Sequence, residues 1–150
     1  MSTINIRLAT LGDLEALSVL FDGYRQFYGR DSDLGAAKQF LSDRLHHAES
    51  VIFIAHDGAT PVGITQLYPS FSSVSLGRIF ILNDLFVNEA GRRKGVGSAL
   101  LSAAVDYAQA AGAIRLALST ALTNARAQAL YESKGWVRDD DFFYIYPIQK

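Results

Sequence analysis

The 150-residue chain contains no cysteine, and that absence excludes a disulfide framework, a thiolate zinc site, an iron–sulfur cluster and a cysteine nucleophile. Charge of one sign is missing too. Fourteen Lys and Arg stand against fifteen Asp and Glu, and a formal net charge of -1 excludes general nucleic-acid binding, which requires a large positive surface to displace counterions. No apolar run approaches the ~20 residues of a membrane span. The amino-terminal MSTINIRLAT places Arg7 where a secretory signal would need apolar residues. What is present is 49% hydrophobic residues in a length expected to form one compact domain over residues 1–150. A chain of this size buries roughly 68–70% of its unfolded surface, enough to fold without a metal or cross-link. The expectation is a cytoplasmic domain, with no nucleic-acid or membrane partner and room for a small active site.

Ile4, Ile6 and Leu8 alternate with polar residues as a first strand, and Thr10 with Asp13 resembles a capping box opening a helix. Leu14, Leu17, Phe21, Tyr24 and Tyr28 follow at helical spacing, Gly29 ends that helix, and Ser32 is placed to cap a second one through Phe40, Leu41 and Leu45. Val51–His56 and Val62–Tyr68 flank the Asp57–Gly58 hairpin signal. Ile79–Val87 is the longest strand. Strict alternation puts Ile79, Ile81, Asn83, Leu85 and Val87 on one face and Phe80, Leu82, Asp84 and Phe86 on the other. A helix to near Gly112, a strand over Ile114–Ser119, a helix over Asn124–Lys134 and one or two closing strands over Trp136–Ile148 complete a three-layer α/β pattern around a mixed sheet.

The most informative segment is N-E-A-G-R-R-K-G-V-G-S-A-L-L, which joins the long strand to a helix. Gly95 and Gly97 let the backbone approach a ligand closely, and the N–H groups opening the helix converge with its dipole. Arg92, Arg93 and Lys94 add three cations beside this nest, so the turn suits a pyrophosphate. A dinucleotide fingerprint would need a small residue where Leu100 stands, and a P-loop would need Lys-Ser or Lys-Thr after the last glycine; neither fits. An ordinary solvated charged loop is the other reading. Downstream, Asn124 and Tyr131 lie seven residues apart and share a helix face.

L-N-D-L-F-V (82–87), R-R-K-G-V-G (92–97) and N-x-x-A-x-x-L-Y-x-x-x-G-W (124–136), in this order over nearly the whole chain, resemble the GCN5-related N-acetyltransferase family. The look is nearest to the branch of diamine, D-amino-acid and small yeast histone- and polyamine-acetylating enzymes. The resemblance implies a single three-layer domain, its mostly antiparallel mixed sheet splayed between two central strands and flanked by about four helices. It implies that the acetyl-CoA pyrophosphate sits on main-chain N–H groups of Arg93, Lys94, Gly95, Val96, Gly97 and Ser98, with Arg92 and Lys94 adding charge. It also implies that the pantetheine arm runs along Leu85, Phe86 and Val87, that Asn124 hydrogen-bonds the arm, and that Tyr131 is the general acid. A phenol of pKa about 10 suits that role, because the departing thiolate is of similar basicity. A core aromatic is the other reading of Tyr131.

The base is less legible. Diamine acetyltransferases carry Glu-Asp where this chain has Asn83-Asp84, and an amide cannot accept the proton. Asp84 is the remaining candidate if a bulge re-aims it, Glu89 is a more distant one, and a water chain to solvent is the expected relay. Tyr24, Tyr28, Asp31 and Asn83 are the candidate acceptor contacts, with Asp33 and Asp139–Asp141 as further carboxylates able to draw in a cation. Acids favoured at a helix start and a solvated turn are the other reading of these carboxylates. His46, His47 and His56 show no metal-ligand spacing, so no metal is expected. The aromatic run of Phe142, Phe143, Tyr144 and Tyr146 suits a sheet edge or a second subunit, and a homodimer is expected. The expected reaction is direct transfer from acetyl-CoA to a small primary amine (diamine, polyamine or amino acid) in a ternary complex. A protein lysine or N-terminal acceptor and a non-catalytic acyl-CoA-binding module are the alternatives.

Overall fold

The computed structural model describes residues 3–148. The chain divides into two compact units, Met1–Ser119 and Thr120–Lys150.

The first unit runs β1 (Ile4–Leu8), α1 (Leu14–Phe27), α2 (Leu34–His46), β2 (Val51–Asp57), β3 (Thr60–Ser72), β4 (Gly77–Val87), α3 (Val96–Ala110) and β5 (Arg115–Ala117). The strands lie in chain order; β1 to β4 pair antiparallel and β5 joins β4 in parallel. A parallel neighbour needs a crossover, and α3 supplies it. Leu17, Leu20 and Phe21 of α1 and Ala37 and Leu41 of α2 bury themselves against Ile52, Ile54 and Ile64 of the sheet. On the opposite face, Phe53 and Phe80 set their rings edge-on to Tyr107 of α3 at 5.8 and 5.7 Å. The three-layer α/β architecture expected from the sequence is therefore present.

Local chemistry accounts for the helix ends. Thr10 N–H donates to Asp13 Oδ2 at 2.8 Å where α1 begins. Asp33, not Ser32, caps α2, its Oδ1 accepting from Ala36 N at 3.1 Å. Ser32 is engaged elsewhere. Asp22, buried on α1, accepts the Ser32 hydroxyl at 2.7 Å, Asp33 N–H at 2.8 Å and the Gln26 amide at 3.1 Å. One carboxylate thus ties the α1–α2 loop down, and these bonds hold its pKa below the usual value.

The strict alternation expected of β4 breaks at Asn83. Leu82 lies opposite Leu67 and Asp84 opposite Gln66, so Asn83 is an extra residue, a β-bulge. Cross-strand partners share a face, and consecutive residues of β3 alternate faces. Leu82 and Asp84 therefore point to opposite sides of the sheet, which corrects the expectation that Phe80, Leu82, Asp84 and Phe86 form one face. The rings confirm it: Phe80 meets Tyr107 on α3, whereas Phe86 meets Tyr24 on α1 at 6.3 Å.

Strand β5 is shorter than the 114–119 expected, and its pairing with β4 stops at Ile81–Ala117. Among the described residues, the stretch Leu82–Val87 is paired on the β3 side alone. This is the splay between central strands.

The second unit holds α4 (Ala125–Ser133), whose Asn124 N-cap accepts from Ala127 N–H at 3.2 Å. The closing strands expected over 136–148 do not form among the described residues. Alternating aromatics give strand propensity, but a strand exists only through its ladder partner. Phe142, Phe143, Tyr144 and Tyr146 stay exposed. Among the described residues no helix is long and apolar enough to cross a membrane.

Candidate active site

Two constellations stand out in the first unit. The first is the turn into α3. Asn88 Oδ1 accepts Gly91 N–H at 3.0 Å and fixes the exit from β4. Arg93 (φ 64°) and Gly95 (φ 75°) are both left-handed, the alternation that makes successive N–H groups converge on an anion. Gly95 is the N-cap of α3 and has no side chain to offer, and no acid occupies the first turn. Val96, Gly97 and Ser98 thus begin the helix with N–H groups lacking an intrahelical acceptor, reinforced by the dipole. Close packing holds the turn in place: a Cβ on Gly63 of β3 would lie 3.0 Å from both Val96 Cγ1 and Leu100 Cδ1. Arg92, Arg93 and Lys94 are exposed around this nest. Lys94 is partly committed, its Nζ lying 2.7 Å from Asp57 Oδ2, while Asp57 also accepts Thr3 N–H at 3.0 Å. Those two donors hold the Asp57 carboxyl below its ordinary pKa. The nest fits a diphosphate.

The second constellation surrounds Asp84, which is 3% exposed. Gln66 Nε2 donates to its Oδ2 at 2.6 Å and Asn83 Nδ2 to its Oδ1 at 3.2 Å. The backbone is pinned as well, Thr65 Oγ1 donating to Asp84 O at 2.8 Å. Tyr24 donates its hydroxyl to Asn83 O at 3.2 Å and also faces the carboxylate. Burial raises the Asp84 pKa, and the hydrogen bonds from Gln66, Tyr24 and Asn83 offset only part of that rise. The Tyr68 phenol is pushed up to about 12 by burial and by Asp84, and Tyr24 rises for the same two reasons. Both phenols are therefore neutral in the working range.

The structure thus brings together Tyr24, Asn83 and Asp84, with Tyr28 beside them, its ring 5.0 Å from that of Tyr24. Asp31 and Asp139–Asp141 are exposed. Leu85 and Val87 lie opposite Thr65 and Gly63, on the stretch of β4 beyond the β5 pairing; Phe86 turns toward α1. In the second unit Asn124 uses its Oδ1 as a helix cap, and Tyr131 packs its ring 6.2 Å from that of Trp136. Among the described residues no group of three His, Cys, Asp or Glu could hold a metal. Gln66 and Tyr68 escaped the sequence reading. A polar Gln in the middle of an otherwise buried strand was the available signal for one of them.

The Acetyltransferase (GNAT) family model matches residues 16–136. A Bacillus subtilis protein named "Uncharacterized N-acetyltransferase YhfO" is 50% identical over 141 residues, covering 94% of this chain and 95% of that one. A Haemophilus influenzae protein named "Probable acetyltransferase" is 33% identical over 125 residues, 83% of this chain and 84% of that one. Among solved structures, one described as a "probable acetyltransferase" superimposes with a TM-score of 0.90 at 43% identity, covering 97% and 99% of the two chains. An aminoglycoside N-acetyltransferase in complex with CoA shares the fold at a TM-score of 0.82 and 18% identity, over 98% of this chain and 96% of that one.

Proposed function

Because the chain belongs to the GNAT acetyltransferase family, and is accordingly an acetyl-CoA-dependent N-acetyltransferase, we propose that it acetylates the primary amine of a small molecule in a ternary complex with Asp84 as the base. The observation that carries this reading is the bulge at Asn83, which turns a buried carboxylate from the α3 side of the sheet to the α1–α2 side. Acetyl-CoA supplies the activated acetyl group. Arg93 to Ser98 hold its diphosphate by main-chain N–H groups, and the unpaired edge of Leu85–Val87 offers main-chain partners to its arm.

The acceptor arrives as an ammonium, and an anionic Asp84 near the Tyr24 and Tyr68 phenols suits such a cation. Attack needs the free amine. Asp84 removes the proton, and its raised pKa brings it closer to the amine in basicity than an exposed carboxylate. This replaces the solvent relay expected from the sequence with a single group. Tyr131 is proposed, on the family resemblance, to protonate the departing thiolate. A diamine, polyamine or amino acid is the proposed acceptor class. The exposed aromatic run at 142–146 supports a homodimer, and the cytoplasm is the proposed location.

Asp84→Asn tests the reading. Across a panel of primary amines, thiol release should fall by about 10²–10⁴-fold, the usual contribution of a positioned base. The profile of kcat/KM for the wild-type chain should rise with pH through an acidic limb above the ordinary carboxylate value, because the ionised form is the active one. That limb should be absent in Asp84→Asn. Undiminished activity or an unchanged limb in the variant would remove Asp84 from the chemistry.

A further inference from the structure

Gln66 is an unusual resident of the sheet. It is 0% exposed, in the middle of β3, with Ile64 and Leu67 also fully buried nearby. Its Nε2 donates to Asp84 Oδ2, while its Oε1, equally buried, has no hydrogen-bond partner among the described residues. An apolar side chain of similar volume would fill the same space with no buried amide to satisfy. The bond that distinguishes Gln66 from such a side chain is the one to Asp84.

Register explains how the two meet. Without the extra residue at Asn83, Gln66 would stand opposite residue 83, and Asp84 would face α3. The bulge moves Asp84 into line with Gln66 on the α1–α2 side. From these observations we infer that Gln66 is the positioning residue of the base: its amide orients the Asp84 carboxylate and sets the pH at which that carboxylate takes up a proton. This rests on Asp84 being the base.

Among the described residues, the titratable groups facing Asp84 are Tyr24 from α1 and Tyr68 from β3. Both are neutral hydroxyls throughout the relevant range. Tyr28 and Arg44 act one step further out, on Tyr24 and Tyr68 respectively. No cation faces the carboxylate among the groups acting on it, so neutral donors alone favour its charged form, and Gln66 contributes the largest share. Removing a donor that favours the charged form raises the pKa.

The experiment is a carbon-detected NMR titration of the Asp84 carboxyl, assigned by its loss in Asp84→Asn, run beside the pH profile of kcat/KM. In Gln66→Met the carboxyl midpoint should rise by about one pH unit, the acidic limb should follow it, and Tm should hold or increase. Gln66→Glu serves as a second variant of nearly equal shape. A second carboxyl there shares one proton with Asp84, so the midpoint should again move up. An unmoved midpoint in a folded variant overturns the role of Gln66 while leaving Asp84 as the base. A midpoint that moves while the limb stays, or a limb that survives in Asp84→Asn, overturns the base itself. A collapse of Tm in both variants assigns Gln66 to stability and overturns the inference.

Discussion

The turn at residues 92–98 and the cluster around Asp84, the two sites proposed above, are built by opposite means. The turn is made of main chain: two left-handed residues and the open end of α3 present N–H groups whose geometry depends little on side-chain identity. The Asp84 cluster is made of side chains from three elements, Tyr24 on α1, Gln66 and Tyr68 on β3, and Asn83 with Asp84 on β4. The proposed occupant of the turn, a diphosphate, is invariant and charged, so a fixed cradle of amides would suffice for it. An amine must be gripped and also deprotonated, which requires an ionisable group held away from water.

That contrast can be broken by mutation. Asp84→Asn should have the largest effect, about 10²–10⁴-fold on thiol release with acetyl-CoA affinity unchanged. Loss of cofactor binding in this variant would show that the two constellations are not separable. Tyr131→Phe should lower kcat by about 10²-fold, again with little change in acetyl-CoA affinity by calorimetry, if the phenol is a general acid. A loss of folding instead would make Tyr131 a packing residue against Trp136.

Gly95→Val probes the main-chain side. Open space surrounds the position, so the cost is purely conformational, and a β-branched residue at φ 75° is strained by about 1–3 kcal/mol. Acetyl-CoA affinity should weaken about tenfold or more, and the thermal stabilisation by saturating acetyl-CoA should shrink accordingly. Lys94→Ala should do least, a few-fold at most in the same titration, because Asp57 already holds the ammonium and partly exposed ion pairs contribute about 0–1 kcal/mol. A larger loss from Lys94→Ala than from Gly95→Val would mean that side-chain charge dominates the cradle.

The same contrast explains what could be read in advance. The turn into α3 was legible because its parts are contiguous: two glycines and three cations within six residues mark a strand-to-helix turn by backbone sterics. The helix over 125–133 and its Asn124 cap were legible for the same local reason. Ser32, placed by the sequence to cap α2, gives its hydroxyl instead to Asp22, ten residues earlier, and Asp33 takes the cap. The strands expected over 136–148 rested on propensity without a partner.

Composition and local pattern by themselves determined the three layers, the mixed sheet and the glycine turn into α3, since these follow from periodicity and backbone sterics over short stretches. Tertiary pairing alone decided which way Asp84 points. One extra residue at Asn83 reverses a period-two alternation, and nothing in Asn83 itself announces the bulge. The register of β3 against β4 sets it, and with it the side of the sheet on which the Asp84 carboxylate lies.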